Sequence, residues 1–211
     1  MTRMSELAIA QTSLRVQRWD EDQTLWAARK LDLDPAAANV RISPERFAAL
    51  GVRPYSDTLD EDCNLITQAG WAALLGSIAG TSIATKFSAS AGRIGVGTVA
   101  TAATYADTKL GGDTGSASTT SYFQLVSGAP TISTGSTPPT LAFTAVFGTG
   151  VANFAWAEFG TDNYTASSVY GQGAVFLNHG ISAQGTKASG QTWTATETIT
   201  FGYPSGSGTV S

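Results

Sequence analysis

Hydrophobic and polar residues alternate with a period of two through much of the C-terminal third of the chain. In QTWTATETITFG, Trp193, Ala195, Ile199 and Phe201 share one face, and Thr192, Thr194, Thr196, Thr198 and Thr200 share the other. Such alternation predicts a half-buried β-strand, and β-branched threonines suit a pleated surface. Glu197 interrupts the apolar face, so it lies at a sheet edge or meets a partner that the sequence does not reveal. The runs LAFTAVFG, NFAWAEFG and VFLNHGISAQGTK follow the same rule, with Glu158 and His179 on the parity of the large apolar residues. Gly-rich stretches at 148–151, 162–173 and 187–190 separate these runs, and the last reads as a hairpin turn between two long strands. Residues 141–201 therefore predict an antiparallel unit forming one sheet of a sandwich.

Upstream the period changes. Ser43-Pro44-Glu45 predicts the start of a short helix over 44–50, with Ser43 as N-cap and Gly51 just past the end. Trp71, Leu74, Leu75 and Ile78 recur at helical spacing after Thr67, which predicts a second helix packed on the sheet. RIGVGT at 93–98 and SYFQLVSG at 121–128 read as strands, and the small-residue stretch between them as a long loop. Residues 1–42 admit either a hairpin or a strand followed by a helix begun at Asp20 or Asp22.

Charge divides the chain. Residues 1–62 carry 8 Lys/Arg and 11 Asp/Glu, whereas residues 63–211 carry only 4 and 5. This places a compositional boundary near residue 62, and the chain is read as a charged N-terminal arm over 1–57, a helix plus β-sandwich domain over 58–203, and a tail over 204–211. Trp19 and Trp26 in the arm are candidate anchors for a partner surface, because exposed tryptophans imply that something covers them. The charge-poor remainder suits a protein whose surface is partly covered by neighbours in an assembly. With net charge −4 and no basic run, nucleic-acid binding has no electrostatic support. No apolar run is long enough for a transmembrane helix, the first residues lack a signal-peptide core, and a single cysteine, Cys63, excludes an internal disulfide.

Candidate chemistry is sparse. The acidic cluster Asp57, Asp60, Glu61 and Asp62 lacks the ligand spacing and glycine of an EF-hand, so it reads as a solvated turn. One histidine and one cysteine are too few for a zinc site. The glycines at 92, 95 and 97 do not form a phosphate-binding fingerprint. His179 reads as a structural histidine, with no motif placing a nucleophile beside it. The least implausible enzyme reading pairs Glu158 and Glu197, each flanked by tryptophan, as glycosidase carboxylates. No catalytic, cofactor or metal site is assigned.

The succession NLITQAGWAALLG, RIGVGT, ATAATYADTKLGG, YFQLVSGAPT, LAFTAVFGTGVANFAWAEFG and FLNHGISAQGTKASGQTWTATETITF resembles small virion structural proteins of tailed bacteriophages over roughly residues 58–202. NFAWAEFG, FLN and GTKASGQTWT are the most specific parts. The resemblance implies a mainly β chain, an antiparallel β-sandwich (jelly-roll-like) with one or two short helices and an N-terminal arm, made in the host cytoplasm and carried on the particle surface. It further implies a capsid decoration or head-fibre role, or alternatively a minor tail, baseplate or tail-fibre role. The implied partners are the major capsid protein or other virion proteins and further copies of the chain, with a trimer as the expected oligomer.

Overall fold

The computed structural model describes residues 10–61, 63–81, 87–115, 119–135, 138–164 and 175–202. The strands are β1 (Ala10–Trp19), β2 (Ser56–Glu61), β3 (Asn64–Ile66), β4 (Gly92–Gly97), β5 (Ser121–Leu125), β6 (Thr131–Ser133), β7 (Thr140–Phe147), β8 (Ala155–Asn163), β9 (Val175–Phe176), β10 (Asn178–Thr186) and β11 (Thr192–Phe201). The helices are α1 (Glu21–Lys30), α2 (Pro44–Ala49) and α3 (Gln68–Ile78). They build two antiparallel sheets packed face to face. Sheet A runs β2-β1-β11-β7-β6; sheet B runs β3-β10-β8-β4-β5, with β9 on β8.

The β-sandwich with a few short helices is the expected class, but its wiring differs from the sequence reading in two ways. Residues 141–201 do not form one sheet. β7 and β11 belong to sheet A while β8 and β10 belong to sheet B, so the chain crosses between sheets from β7 to β8 and again from β10 to β11. The turn at 187–190 is accordingly a crossing between sheets rather than a hairpin. Alternation along each strand reports only that one face is buried, and it reads the same for either sheet.

The N-terminal segment is also not an arm. β1 lies between β2 and β11 and pairs with β11 in unbroken register from Ala10↔Phe201 to Trp19↔Thr192. Asp20 then caps α1 in a reciprocal box: the Gln23 N–H donates to Asp20 Oδ1 at 2.8 Å, and the Asp20 N–H donates to Gln23 Oε1 at 3.1 Å. The acidic stretch read as a turn is β2, an edge strand. The loop at 129–140 contains the short edge strand β6. The proposed tail over 204–211 and Asp62 lie outside the described residues.

Two apolar clusters organise the packing. The main one fills the sandwich with Leu14, Val16 and Ile199 from sheet A and Ile94, Val96 and Phe159 from sheet B, among others. Phe147, Trp156 and Trp193 meet edge-to-face at its centre, with centroids 4.7 and 4.9 Å apart, a geometry contributing about 0.5–1.5 kcal/mol per pair beyond burial. The second cluster covers the other side of sheet A at one end, where Trp19 stacks on Phe47 of α2 with centroids 4.4 Å apart, beside Ala27, Ala28, Val40 and Ile42. The charged N-terminal part thus contributes one internal strand and a second, smaller core.

Candidate functional site

Arg93, Asp107, Glu158, Asp162 and His179, ionisable residues of the charge-poor region, gather on the outer face of sheet B. Register places Glu158 opposite Gly97, Asp162 opposite Arg93, and Glu158 opposite Ile181. His179 sits two residues from Ile181 and faces the same way. Glycines make room for these groups. A Cβ on Gly97 would lie 2.3 Å from Glu158 Oε1, and one on Gly95 would lie 2.4 Å from the Phe123 ring. This is the physical reason for the alternate glycines in RIGVGT: they bed large side chains flat on the sheet rather than bind phosphate.

A strap over residues 98–113 covers this face. The backbone N–H groups of Gly111 and Gly112 donate to Glu158 Oε2 and Oε1 at 2.7 and 2.8 Å, and the Val99 N–H donates to Oε1 at 3.3 Å. His179 bridges two carboxylates, with Nδ1 2.6 Å from Asp107 Oδ2 and Nε2 3.0 Å from Glu158 Oε2. Thr104 orients Asp107 through its N–H at 2.8 Å and its hydroxyl at 2.6 Å. Burial by itself would lower the His179 pKa, but hydrogen bonding and attraction from Glu158 and Asp107 outweigh it and raise the pKa above the ordinary 6.5. Burial opposes ionisation of Asp107, yet His179 and Thr104 hold its carboxyl below the usual range.

Farther along β8, Arg93 donates from Nε and Nη2 to the two oxygens of Asp162 at 2.9 and 2.5 Å. Its guanidinium lies 4.5 Å from the Phe123 ring and 4.4 Å from the Tyr164 ring. Both members of the pair are almost completely buried, so the bidentate geometry and the flanking rings replace the water each charge has lost.

Glu197 belongs to a different environment. It is fully buried between the sheets, opposite Leu14 and Phe143 in its own sheet. Asn64 Nδ2 donates to Oε1 and Thr161 Oγ1 lies against Oε2, each at 2.5 Å. Burial pushes its carboxyl up to about 8, so it is a neutral acid near pH 7 and needs no counter-ion. Lys187 is also buried, with Nζ donating to Asn153 Oδ1 at 2.8 Å, and desolvation lowers its amine to about 7.

The structure therefore separates the two glutamates paired in the glycosidase reading. Thr161, which meets Glu197, is three residues from Glu158 on β8 and faces the opposite side of the sheet. The flanking Trp156 and Trp193 are core residues, each 2% exposed. His179 shares the parity of the apolar residues but sits outside the sandwich core, under the strap, bonded to Asp107 and Glu158. The acidic cluster is dispersed: Asp57 pairs with Arg15, whereas Asp60 accepts from Ser182 and from Gln184 Nε2. Among the described residues, no group of three His, Cys, Asp or Glu side chains is placed to hold a metal ion.

The two anchor tryptophans part company. Trp19 is 1% exposed and stacked on Phe47, so it is a core residue and not an anchor. Trp26 is 43% exposed, with the Lys30 ammonium 5.7 Å from its ring. The sequence reading missed Asp107 and Arg93, which lie on a loop and in a glycine strand; a lone charge in a charge-poor stretch was the available signal. No protein-family model matches this chain, and no curated protein or solved structure shows detectable similarity to it.

Proposed function

We propose that the chain is a non-enzymatic structural protein of a tailed-phage particle, and within that class a capsid decoration or head-fibre protein that binds the shell and stabilises it. The observation that carries the reading is an apolar, charge-poor stretch of surface built from α3, β3 and the strap. α3 has no charged residue and exposes Leu75 at 59% and Ile78 at 84%. Leu65 on β3 and Tyr105 on the strap are exposed as well, and the Gln68 N–H donates to the Tyr105 carbonyl at 2.8 Å, joining strap to helix. Exposed apolar surface of this kind suits a protein covered by neighbours in an assembly. The ionisable groups of sheet B are engaged with one another and with backbone, which fits a scaffold better than a reaction centre. The resemblance to small virion proteins supplies the particle.

The partners in this reading are the major capsid protein and further copies of the chain, through many modest contacts that add by avidity. A minor tail, baseplate or fibre role would use the same surface. Copy number separates the two, measured by quantitative mass spectrometry of purified particles against the major capsid protein. Copies in proportion to the shell lattice support decoration. A handful in multiples of the tail symmetry moves the chain to the tail. Absence from particles overturns both.

A further inference from the structure

The strap is held differently at its ends and at its tip. Both ends are bound to Glu158, through Val99 on one side and Gly111 and Gly112 on the other. Leu110 anchors the second end in a small cluster with Phe123 and Phe176. Across residues 100–108, the ties to the rest of the protein among the described residues are Asp107 on His179 and the Tyr105 carbonyl accepting from Gln68. Beneath this tip lies an open cleft of about 500 Å³, lined by Cys63, Leu65, Ala100, Ala102, Ala103 and Ile181.

The latch requires a proton. Both ring nitrogens of His179 face carboxylate oxygens, so both must carry hydrogen for both contacts to attract. Loss of one proton leaves a nitrogen lone pair against a carboxylate lone pair, and one contact gives way. Glu158 is buried and keeps its three backbone donors. The Asp107 carboxylate is 25% exposed and its remaining donors come from Thr104 of the same strap. Asp107 is therefore the arm that leaves.

We propose that residues 100–108 are a hinged flap, latched by Asp107 on His179 and hinged at the ends bound to Glu158, whose release widens the cleft beside edge strand β3. The charged groups facing His179 are Glu158 from β8 and Asp107 from the strap. β3 presents Leu65 opposite it, α3 carries no charge, Arg93 of β4 is turned into Asp162, and Lys109 donates to the Asp113 carbonyl within the strap. The flap is closed while His179 is protonated and loosens as pH rises through its elevated pKa. Opening exposes more of Leu65 and Ile181, which already line the cleft, and extends the apolar surface next to α3. This mechanism stands whether or not the protein belongs to a particle.

The test uses the full chain and its single cysteine, Cys63, as a probe. Asp107→Ala at constant pH is expected to speed thiol labelling of Cys63 by about tenfold, the effect of losing one charge-assisted hydrogen bond. Amide exchange over 100–108 should accelerate with it while β8 and β10 keep their protection. In the wild type, exchange over 100–108 corrected for its intrinsic pH dependence should step upward above pH 6.5, and the step should vanish in Asp107→Ala. Unchanged labelling, acceleration spread evenly into β8 and β10, or a flat wild-type profile would each overturn the proposal.

Discussion

At the residue scale, two buried ionisable groups set opposing responses to pH. Glu197 has a folded pKa of about 8 against an ordinary 4.5, so the folded state holds an extra proton between those values. Stability therefore falls as pH rises through that window, by about 5 kcal/mol at most. Glu197→Gln keeps the shape and should flatten this limb in melting curves recorded from pH 5 to pH 8; a slope identical to wild type would refute a neutral acid at this position. Lys187 runs the other way. Its folded value of about 7 lies below 10.5, so stability rises with pH between the two. Lys187→Met should raise the melting temperature at pH 7 and lose that advantage as pH approaches 10.5. His179, with its pKa raised, adds stability that is complete below 6.5 and is lost as pH climbs through its folded value. The sequence marked Glu197 as an interruption of an apolar face, yet its partners Asn64 and Thr161 are 133 and 36 residues away. Periodicity is a local signal and carries no information about side chains that distant.

At the scale of elements, what was legible were those with a local cause. α3 begins at Thr67, whose hydroxyl accepts from the Gly70 N–H at 3.0 Å, and α2 begins at Pro44 as the motif predicts. The threonine strand is β11. What was not legible was β1 as an internal strand, because its charged residues resemble those of a solvated leader. Arg15 is neutralised by Asp57 of β2 at 2.6 Å, and Arg18 is enclosed by Ser56 and the Gln184 carbonyl with the Trp193 ring 4.7 Å away. These partners come from elsewhere in the chain. Deleting residues 1–42 should consequently abolish cooperative unfolding, since it removes the strand between β2 and β11 and uncovers the inner sheet face. A truncated chain that still melts in one sharp transition would show that β1 is dispensable.

At the scale of the whole molecule, charge is segregated. The N-terminal part supplies most of the charged surface on sheet A, while α3 and β3 carry no charge and the strap carries little. Leu75→Ser with Ile78→Ser tests the meaning of that surface. The melting temperature should stay close to wild type, because both side chains are exposed, and binding to purified particles should weaken, read by co-sedimentation. Undiminished co-sedimentation would remove this surface from the assembly reading. The composition boundary near residue 62 is a boundary of surface character rather than of folding units, since β1 and β2 are integral to sheet A.

The sequence by itself determined the class of the fold, the positions of α2 and α3, and the strands whose alternation is clean. These follow from local signals: the Thr67 cap, Pro44 at a helix start and the two-residue repeat of a pleated strand. The spacing of Trp71, Leu74, Leu75 and Ile78 did not mark the face that packs, since Leu75 and Ile78 are exposed while Gly70 and Ala73 are buried. Only the tertiary structure decided which sheet each strand joins, that Trp19 is core, and that Asp107, Glu158 and His179 meet under a strap. Those outcomes depend on contacts between residues up to 72 positions apart in that cluster, where burial and hydrogen-bond geometry, not local pattern, select the partner.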